Sequence, residues 1–390
     1  MDPIANPFSP GAGSRPPELA GREQTIKDAE IAIQRVVQGR SGQSQIFLGL
    51  RGTGKTVLLN EVMETSERYG YLTAFVEAPE NKPLTEMLYP AMRQVLRKLS
   101  SVEAAKHLAV RGLAALRGFA SVFKVTLGDV EIGVDPDPGV ADSGNLEVDL
   151  GEMFEAIGRA AKAAGRGWAL FIDEVQYLEE PELAAVIVAV HRMSQRNLPV
   201  MVFAGGLPQM AKLSGDAKSY AERLFVYPKI GALDKQAAYD AILKPLAGQG
   251  VMMEDKAMER IFSVTAGYPF FLQEWGYHAW NMASSSPITL DDVFCATERA
   301  LVRLDDGFFR VRFDRLTNAE VDYVEAMASL GSGPYKVNDV AKALKKQPKS
   351  LGPRRASIIT KGMIYSPSYG EIDFTVPLFD DFLRRRRVSI

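Results

Sequence analysis

Gly49-Leu-Arg-Gly-Thr-Gly-Lys-Thr56 sets three glycines, a lysine and a hydroxyl within eight residues, and fits the spacing GxxxxGK[ST]. Glycines let backbone N–H groups close around phosphate oxygens, and a helix starting behind them adds its positive end. Lys55 then reaches the β/γ-phosphates, and the Thr56 hydroxyl ligates Mg²⁺. On this reading Gly49, Arg51, Gly52, Thr53, Gly54, Lys55, Thr56 and Val57 line a nucleotide, ATP or ADP. A tight glycine turn with no phosphate is the plainer alternative, and the strand before it and helix after it argue against that. A second group lies downstream at Leu170-Phe-Ile-Asp-Glu174. A carboxylate ending a parallel strand can face a phosphate loop, so Asp173 is a candidate Mg²⁺ ligand and Glu174 a candidate general base for an attacking water. A paired Asp-Glu favours hydrolysis over transfer to a small acceptor, which disfavours a metabolic phosphotransferase.

These residues need a sheet to hold them. Gln45–Gly49, Tyr71–Val76, Trp168–Asp173 and Pro199–Ala204 are short continuous apolar runs, with a fifth candidate strand over Leu224–Ile230. Helical periodicity over Glu23–Val37, Val57–Tyr69, Leu84–Leu99 and Leu183–Met193 alternates with them. Strands alternating with helices predict an α/β fold with a parallel sheet covered on both faces. Phe123–Val134 breaks the rhythm: it alternates with period two around Gly128-Asp129 and leads into an acidic Pro/Gly loop ending near Asp149. The interruption predicts a hairpin insertion over about 104–149.

After Gly231 the pattern becomes helical, with segments at Asp234–Leu246, Asp255–Ala266, Phe270–Met282 and Thr289–Leu304. From Thr317 a capping box opens one helix, two further helices follow over Asn338–Lys346 and Ser350–Lys361, and Met363–Tyr365 with Glu371–Val376 flank a turn. Three helices and a hairpin form a winged helix-turn-helix. The predicted domains are a flexible arm over 1–17, which holds five prolines; a phosphate-loop core over 18–231; a helical lid over 232–305; and a winged-helix domain over 306–390.

Composition limits the function classes. Hydrophobic residues at 46% and charged residues at 24% are those of a globular chain rather than a disordered one. Net charge is -2, but residues 331–390 hold 12 Lys/Arg against 5 Asp/Glu, while the remainder is acidic. Lys345, Lys346, Lys349, Arg354 and Arg355 cluster around the third helix of the tail, and Arg384–Arg387 form a further positive patch. Such cations would meet duplex DNA phosphates. Alternatively they are solvated faces of a protein-docking module. One cysteine, Cys295, excludes an internal disulfide framework and fits a reducing, cytoplasmic setting. No apolar run is long enough for a membrane span, and a secretory signal is not expected at the start.

Gly21-Arg-Glu23, the loop Gly49–Thr56 and Asp173-Glu174 together resemble AAA+ ATPases of the branch holding origin-recognition initiators and STAND ATPases. The likeness extends over roughly Leu19 to Leu383, and is strongest to bacterial initiator-like AAA ATPases. It implies a P-loop AAA+ core, lid and winged helix, with assembly into a homo-oligomer when ATP is bound. It also implies that Arg223 is an arginine finger for a neighbouring subunit, the alternative being a surface arginine paired to Glu222 or Asp216. Gly267-Tyr-Pro269 resembles the STAND GxP signature that packs on the base, the alternative being an ordinary helix start. Arg22 falls where such proteins line the adenine pocket. Two departures from the pattern point to slow hydrolysis. Ala204-Gly-Gly206 ends its strand without the usual Asn, Thr or Arg, and Phe270-Phe271 stand where initiators carry an arginine. Two functions follow: an ATPase whose nucleotide state governs oligomerisation and DNA binding, or a STAND-like switch with protein partners and no DNA.

Overall fold

The structure, a computed structural model, describes residues 1–11, 13–78, 82–125 and 139–388. They fall into two compact units, one of Arg22–Gly49 with Lys55–Lys229, the other of Met1–Gly21 with Leu50–Gly54 and Ile230–Ile390.

The first unit is built on five parallel strands: β1 (Ser44–Leu48), β2 (Tyr71–Glu77), β3 (Gly167–Asp173), β4 (Val200–Gly206) and β5 (Phe225–Val226). Their order is β2-β3-β4-β1-β5. Every residue of β1, β3 and β4 is buried, as strands covered on both faces require. Phe171 of β3 stacks on Phe203 of β4 with ring centroids 5.2 Å apart, and Trp168 meets Phe154 edge-on at 4.8 Å. Burying each such side chain contributes roughly 1.5–3 kcal/mol. β3 opens on glycine because a Cβ at Gly167 would lie 2.4 Å from the Tyr71 ring.

The described part of the expected insertion is largely helical: Glu103–Val122 and Leu146–Ala163 are long helices that pack with the helix Leu84–Ser100. The expected hairpin around Gly128-Asp129 lies outside the described residues. One expectation for this unit is corrected. The fifth strand is shorter than Leu224–Ile230, because Leu224 closes a one-turn helix from Ala221 and Pro228 has no N–H for a ladder. The Pro228 carbonyl still accepts the Leu48 N–H at 2.8 Å.

In the second unit, the helices Lys235–Gly248, Asp255–Thr265, Pro269–Met282 and Leu290–Arg303 enclose Trp275, Leu272 and Ile261. Asp234 caps the first by accepting from the Ala237 N–H at 2.8 Å, and Thr289 with Asp292 form a capping box on the last. The Pro-rich start of the chain is not the free arm its composition predicts. Phe8 is 2% exposed and takes the space left by Gly276, where a Cβ would lie 2.8 Å from its ring. Asn6 Nδ2 donates to the Tyr277 carbonyl at 3.0 Å, and Trp280 Nε1 donates to the Asp2 carbonyl at 2.7 Å.

The C-terminal elements are helices Asn318–Ser329, Val337–Ala343 and Gly352–Thr360, a three-stranded antiparallel sheet and a closing helix Phe379–Val388. The sheet, of β6 (Tyr335–Lys336), β7 (Ile364–Tyr365) and β8 (Glu371–Phe374), has the order β6-β8-β7. Buried Glu320 fastens the first helix to the third, accepting from Ser357 Oγ at 2.7 Å and Lys361 Nζ at 2.6 Å. Burial alone would push its pKa up, but the bonds from Lys361, Ser357 and Thr317 hold it at about 2. A folded pKa below the unfolded value stabilises above the ordinary carboxylate range and loses that contribution as pH falls toward 2. Glu320→Gln is therefore expected to destabilise the C-terminal domain by about 1–3 kcal/mol at pH 7. It should also lose part of the wild-type drop in melting temperature between pH 4.5 and 2, a comparison made by calorimetry across pH.

Candidate functional site

In the first unit the helix Lys55–Arg68 begins at Lys55 itself, whose side chain is 6% exposed, with Thr56 and Val57 in its first turn. Gly49 follows β1 and its N–H bonds the Gly206 carbonyl of β4 at 3.0 Å. β3 ends at Asp173, which lies one residue beyond the Ile172–Ala204 pair. The Thr56 hydroxyl donates to Asp173 Oδ2 at 2.5 Å, and the Glu174 N–H donates to Asp173 Oδ1 at 2.9 Å. The sequence thus brings together two residues 117 positions apart, as the proposed metal pair requires.

Asp173 is 4% exposed, and burial raises its carboxyl pKa against the opposing bonds from Thr56 and Glu174. A buried carboxylate of this kind is stabilised in its ionised form by a cation. One carboxylate and one hydroxyl are hard oxygen donors, and Mg²⁺ takes few protein ligands when phosphate oxygens and water supply the rest. The residues present fit that ion. Among the described residues, no group of three or more His, Cys, Asp or Glu forms a metal cage of its own.

Glu174 turns the chain sharply, with φ +51°, in the left-handed region where a side chain costs on the order of 1 kcal/mol or more. Gly205 explains the bare end of β4. A Cβ there would lie 2.6 Å from Asp173 Oδ1 and 3.1 Å from Leu59 Cδ1, so a residue with a side chain would displace the carboxylate. Sequence reasoning took the glycines only as a missing sensor; a strand-end glycine facing an acidic strand end is the signal it lacked.

In the second unit, Leu50–Gly54 carries the rest of the loop. Gly52 and Gly54 adopt φ +80° and +89°, and Thr53 Oγ1 donates to the Leu50 carbonyl at 2.8 Å. The Phe270 N–H donates to the Gly52 carbonyl at 3.1 Å, and the Arg51 N–H donates to the Thr375 carbonyl at 3.1 Å. Sequence reasoning missed both partners. Pro269 occupies the first turn of its helix next to Phe270, and Gly267 is held at φ +71°, where a Cβ would lie 2.3 Å from the Leu233 carbonyl oxygen. Phe271 is a core residue, 2% exposed, while Phe270 stacks on Phe308 at 4.8 Å.

Two predicted residues lie elsewhere in the first unit. Arg22 stands half-buried at the N-cap of the helix Glu23–Val37, its pKa lowered by burial and raised by neighbouring Glu23. Arg223 is exposed, and its carbonyl accepts from Gln43 Nε2 at 3.0 Å, just ahead of the Ser44–Phe225 pair. β5 lies three strands from β3, about 14 Å, and Arg223 precedes it at the opposite strand ends from Asp173. The structure does not bring Arg223 to the Asp173 of its own chain.

In the C-terminal elements Lys345, Lys346 and Lys349 are exposed and Arg354 and Arg355 half-exposed. The terminal arginine run is not the open patch its sequence suggests. Arg384 bonds Asp380 at 2.8 Å and Asp381 at 2.6 Å, Arg385 bonds Asp305 at 2.5 Å, and Arg386 and Arg387 reach Glu325 at 3.8 and 3.4 Å. No helix among the described residues is long and apolar enough to cross a membrane.

Residues 306–383 match the family described as Domain of unknown function (DUF8462). No curated protein matches the chain. Among solved structures, the Walker-type ATPase PabY2304 of Pyrococcus abyssi is similar at 16% identity and a TM-score of 0.62, covering 97% of this chain and 99% of that one. The RuvB Holliday junction branch migration motor of Thermotoga maritima is similar at 15% identity and a TM-score of 0.47, with 93% and 96% covered. The Orc1 protein of Aeropyrum pernix in complex with DNA is similar at 14% identity and a TM-score of 0.47, with 95% and 94% covered. The first of these shares the fold. Residues 18–203 match the family described as AAA ATPase domain, and the parallel-sheet α/β core has the fold of AAA+ P-loop ATPases.

Proposed function

We propose that the chain binds ATP with Mg²⁺ at Gly49–Thr56, hydrolyses it slowly, and uses its nucleotide state to control self-association and duplex DNA binding through a C-terminal winged helix. The observation that carries this reading is the 2.5 Å contact between Thr56 Oγ1 and Asp173 Oδ2 at the strand ends. Lys55 and the loop N–H groups hold the β- and γ-phosphates. Thr56 and Asp173 hold Mg²⁺, which when bound neutralises phosphate charge. Glu174 accepts a proton from water as the water oxygen bonds the γ-phosphorus and the bond to the bridging oxygen breaks. The bare end of β4 at Gly205-Gly206 supports slow turnover.

Coupling to the rest of the chain is supported by the bonds from Phe270 to Gly52 and from Arg51 to Thr375, since both the lid and the C-terminal domain hold the phosphate loop. Pro269 and Arg22 are each candidates for contact with the base, and Arg223, remote from its own chain's Asp173, serves a neighbouring subunit. The domains run over 18–231, 232–305 and 306–390. A chain with one cysteine is compatible with a reducing, cytoplasmic setting, which we take as its location. A second reading, a STAND-like switch with protein partners, is favoured by the internal pairing of Arg384–Arg387, which removes four cations from any DNA face. Light scattering with ADP and with a non-hydrolysable ATP analogue, each with and without duplex DNA, tests both. A larger mass with the analogue and a further increase with DNA is expected. A mass that rises with the analogue but ignores DNA supports the switch, and one mass under all conditions removes both.

A further inference from the structure

Gln176 has no part in the site as described so far, yet its side chain stands between Glu174 and the end of β4. Its Nε2 donates to Glu174 Oε2, while its Oε1 accepts the Leu207 N–H at 3.2 Å. Leu207 directly follows β4. The left-handed turn at Glu174 and the short helical turn Val175–Tyr177 bring the side chain two residues on back beside the carboxylate. Because the Leu207 N–H can only donate, it fixes Oε1 as the amide atom facing β4 and leaves Nε2 facing Glu174. β4 offers nothing in competition. A Cβ at Gly205 would strike Asp173, and one at Gly206 would lie 2.7 Å from Val175 Cγ1 and 3.5 Å from Gln176 Oε1.

We propose that Gln176 is the positioning residue of this site: it fixes the Glu174 carboxylate and ties it to the end of β4, supplying from the turn after β3 the polar contact that β4 itself lacks. Motion of the β4 end is then felt by Glu174 through one amide. The amide keeps its charge state over the whole working pH range, so the hold on Glu174 does not titrate. The inference rests on Glu174 being the general base, and the experiment separates the two.

Steady-state ATP hydrolysis and binding of a fluorescent ATP analogue are measured on the full chain and its E174Q, Q176A and Q176E variants from pH 6 to 9. Q176A is expected to lower kcat by about tenfold to a hundredfold, the cost of a misplaced catalytic group, with analogue affinity unchanged. Q176E keeps the shape but sets a second carboxylate beside Glu174. The pair then shares a proton whose pKa is raised by like-charge repulsion, so kcat of Q176E climbs as pH falls, relative to Q176A. A merely structural role for Gln176 would not produce that separate acid limb. Wild-type kcat in Q176A, or identical pH profiles for Q176A and Q176E, overturns the proposal while leaving Glu174 as base if E174Q is inactive. Turnover retained in E174Q overturns the base assignment and this proposal with it.

Discussion

Lys55→Ala is expected to weaken ATP·Mg²⁺ binding by about a hundredfold or more, a loss of ~3 kcal/mol at 1.4 kcal/mol per factor of ten. Two effects add. The ammonium is buried at 6% exposure, so its attraction to a triphosphate is little screened by water. It also faces Asp173, where its charge lowers a carboxyl pKa that burial has raised. Removing Lys55 lets that pKa climb further, so a larger fraction of Asp173 is protonated at a given pH and less able to hold Mg²⁺. The affinity lost should therefore grow as pH is lowered, and a simple loss of contact would not produce that trend. Calorimetric titration with ATP at two pH values, with and without Mg²⁺, measures both effects. Wild-type affinity in the variant would remove the phosphate-loop assignment altogether.

The parts of this arrangement visible in the sequence are those fixed by local pattern. Leu170-Phe-Ile-Asp173 is apolar until its last residue because β3 is covered on both faces and ends at the site. The glycine loop is legible because Gly52 and Gly54 need positive φ. What escaped depends on partners far away in the chain. Gly112 lets the helix Glu103–Val122 close on Leu96, where a Cβ would lie 2.6 Å from Cδ2. The acidic stretch before Leu146 read as a loop, whereas Asn145 caps a helix and Asp149 accepts from the Ser143 and Gly144 N–H groups. Prolines near the start predicted a free arm, and only the cleft at Gly276 shows why Phe8 is held. Arg384–Arg387 had a legible charge, but Asp305 and Glu325, which neutralise much of it, lie some sixty to eighty residues upstream.

That last difference separates two kinds of cation in the C-terminal domain, and gives the second large effect. Lys345, Lys346 and Lys349 are exposed around the start of the helix Gly352–Thr360, the helix that in a winged helix-turn-helix faces the major groove. Each lysine on a phosphate contributes about 0.9 to the salt exponent, so replacing all three by alanine should lower that exponent by about 3 and affinity for duplex DNA by a few hundredfold at ~0.1 M salt. Alanine at Arg384 acts differently. Its guanidinium donates to the Ala328 carbonyl at 3.0 Å and the Gly331 carbonyl at 3.1 Å besides holding Asp380 and Asp381, so its loss should reduce thermal stability with the salt exponent unchanged. Anisotropy titrations of a short duplex across salt concentrations, beside melting curves, distinguish the two variants. If the triple lysine variant binds DNA with the wild-type exponent, the major-groove assignment fails. The exposed lysines would then belong to a protein-docking face, and the lid and Thr375 contacts with the phosphate loop would be the conformational switch on which such a partner acts.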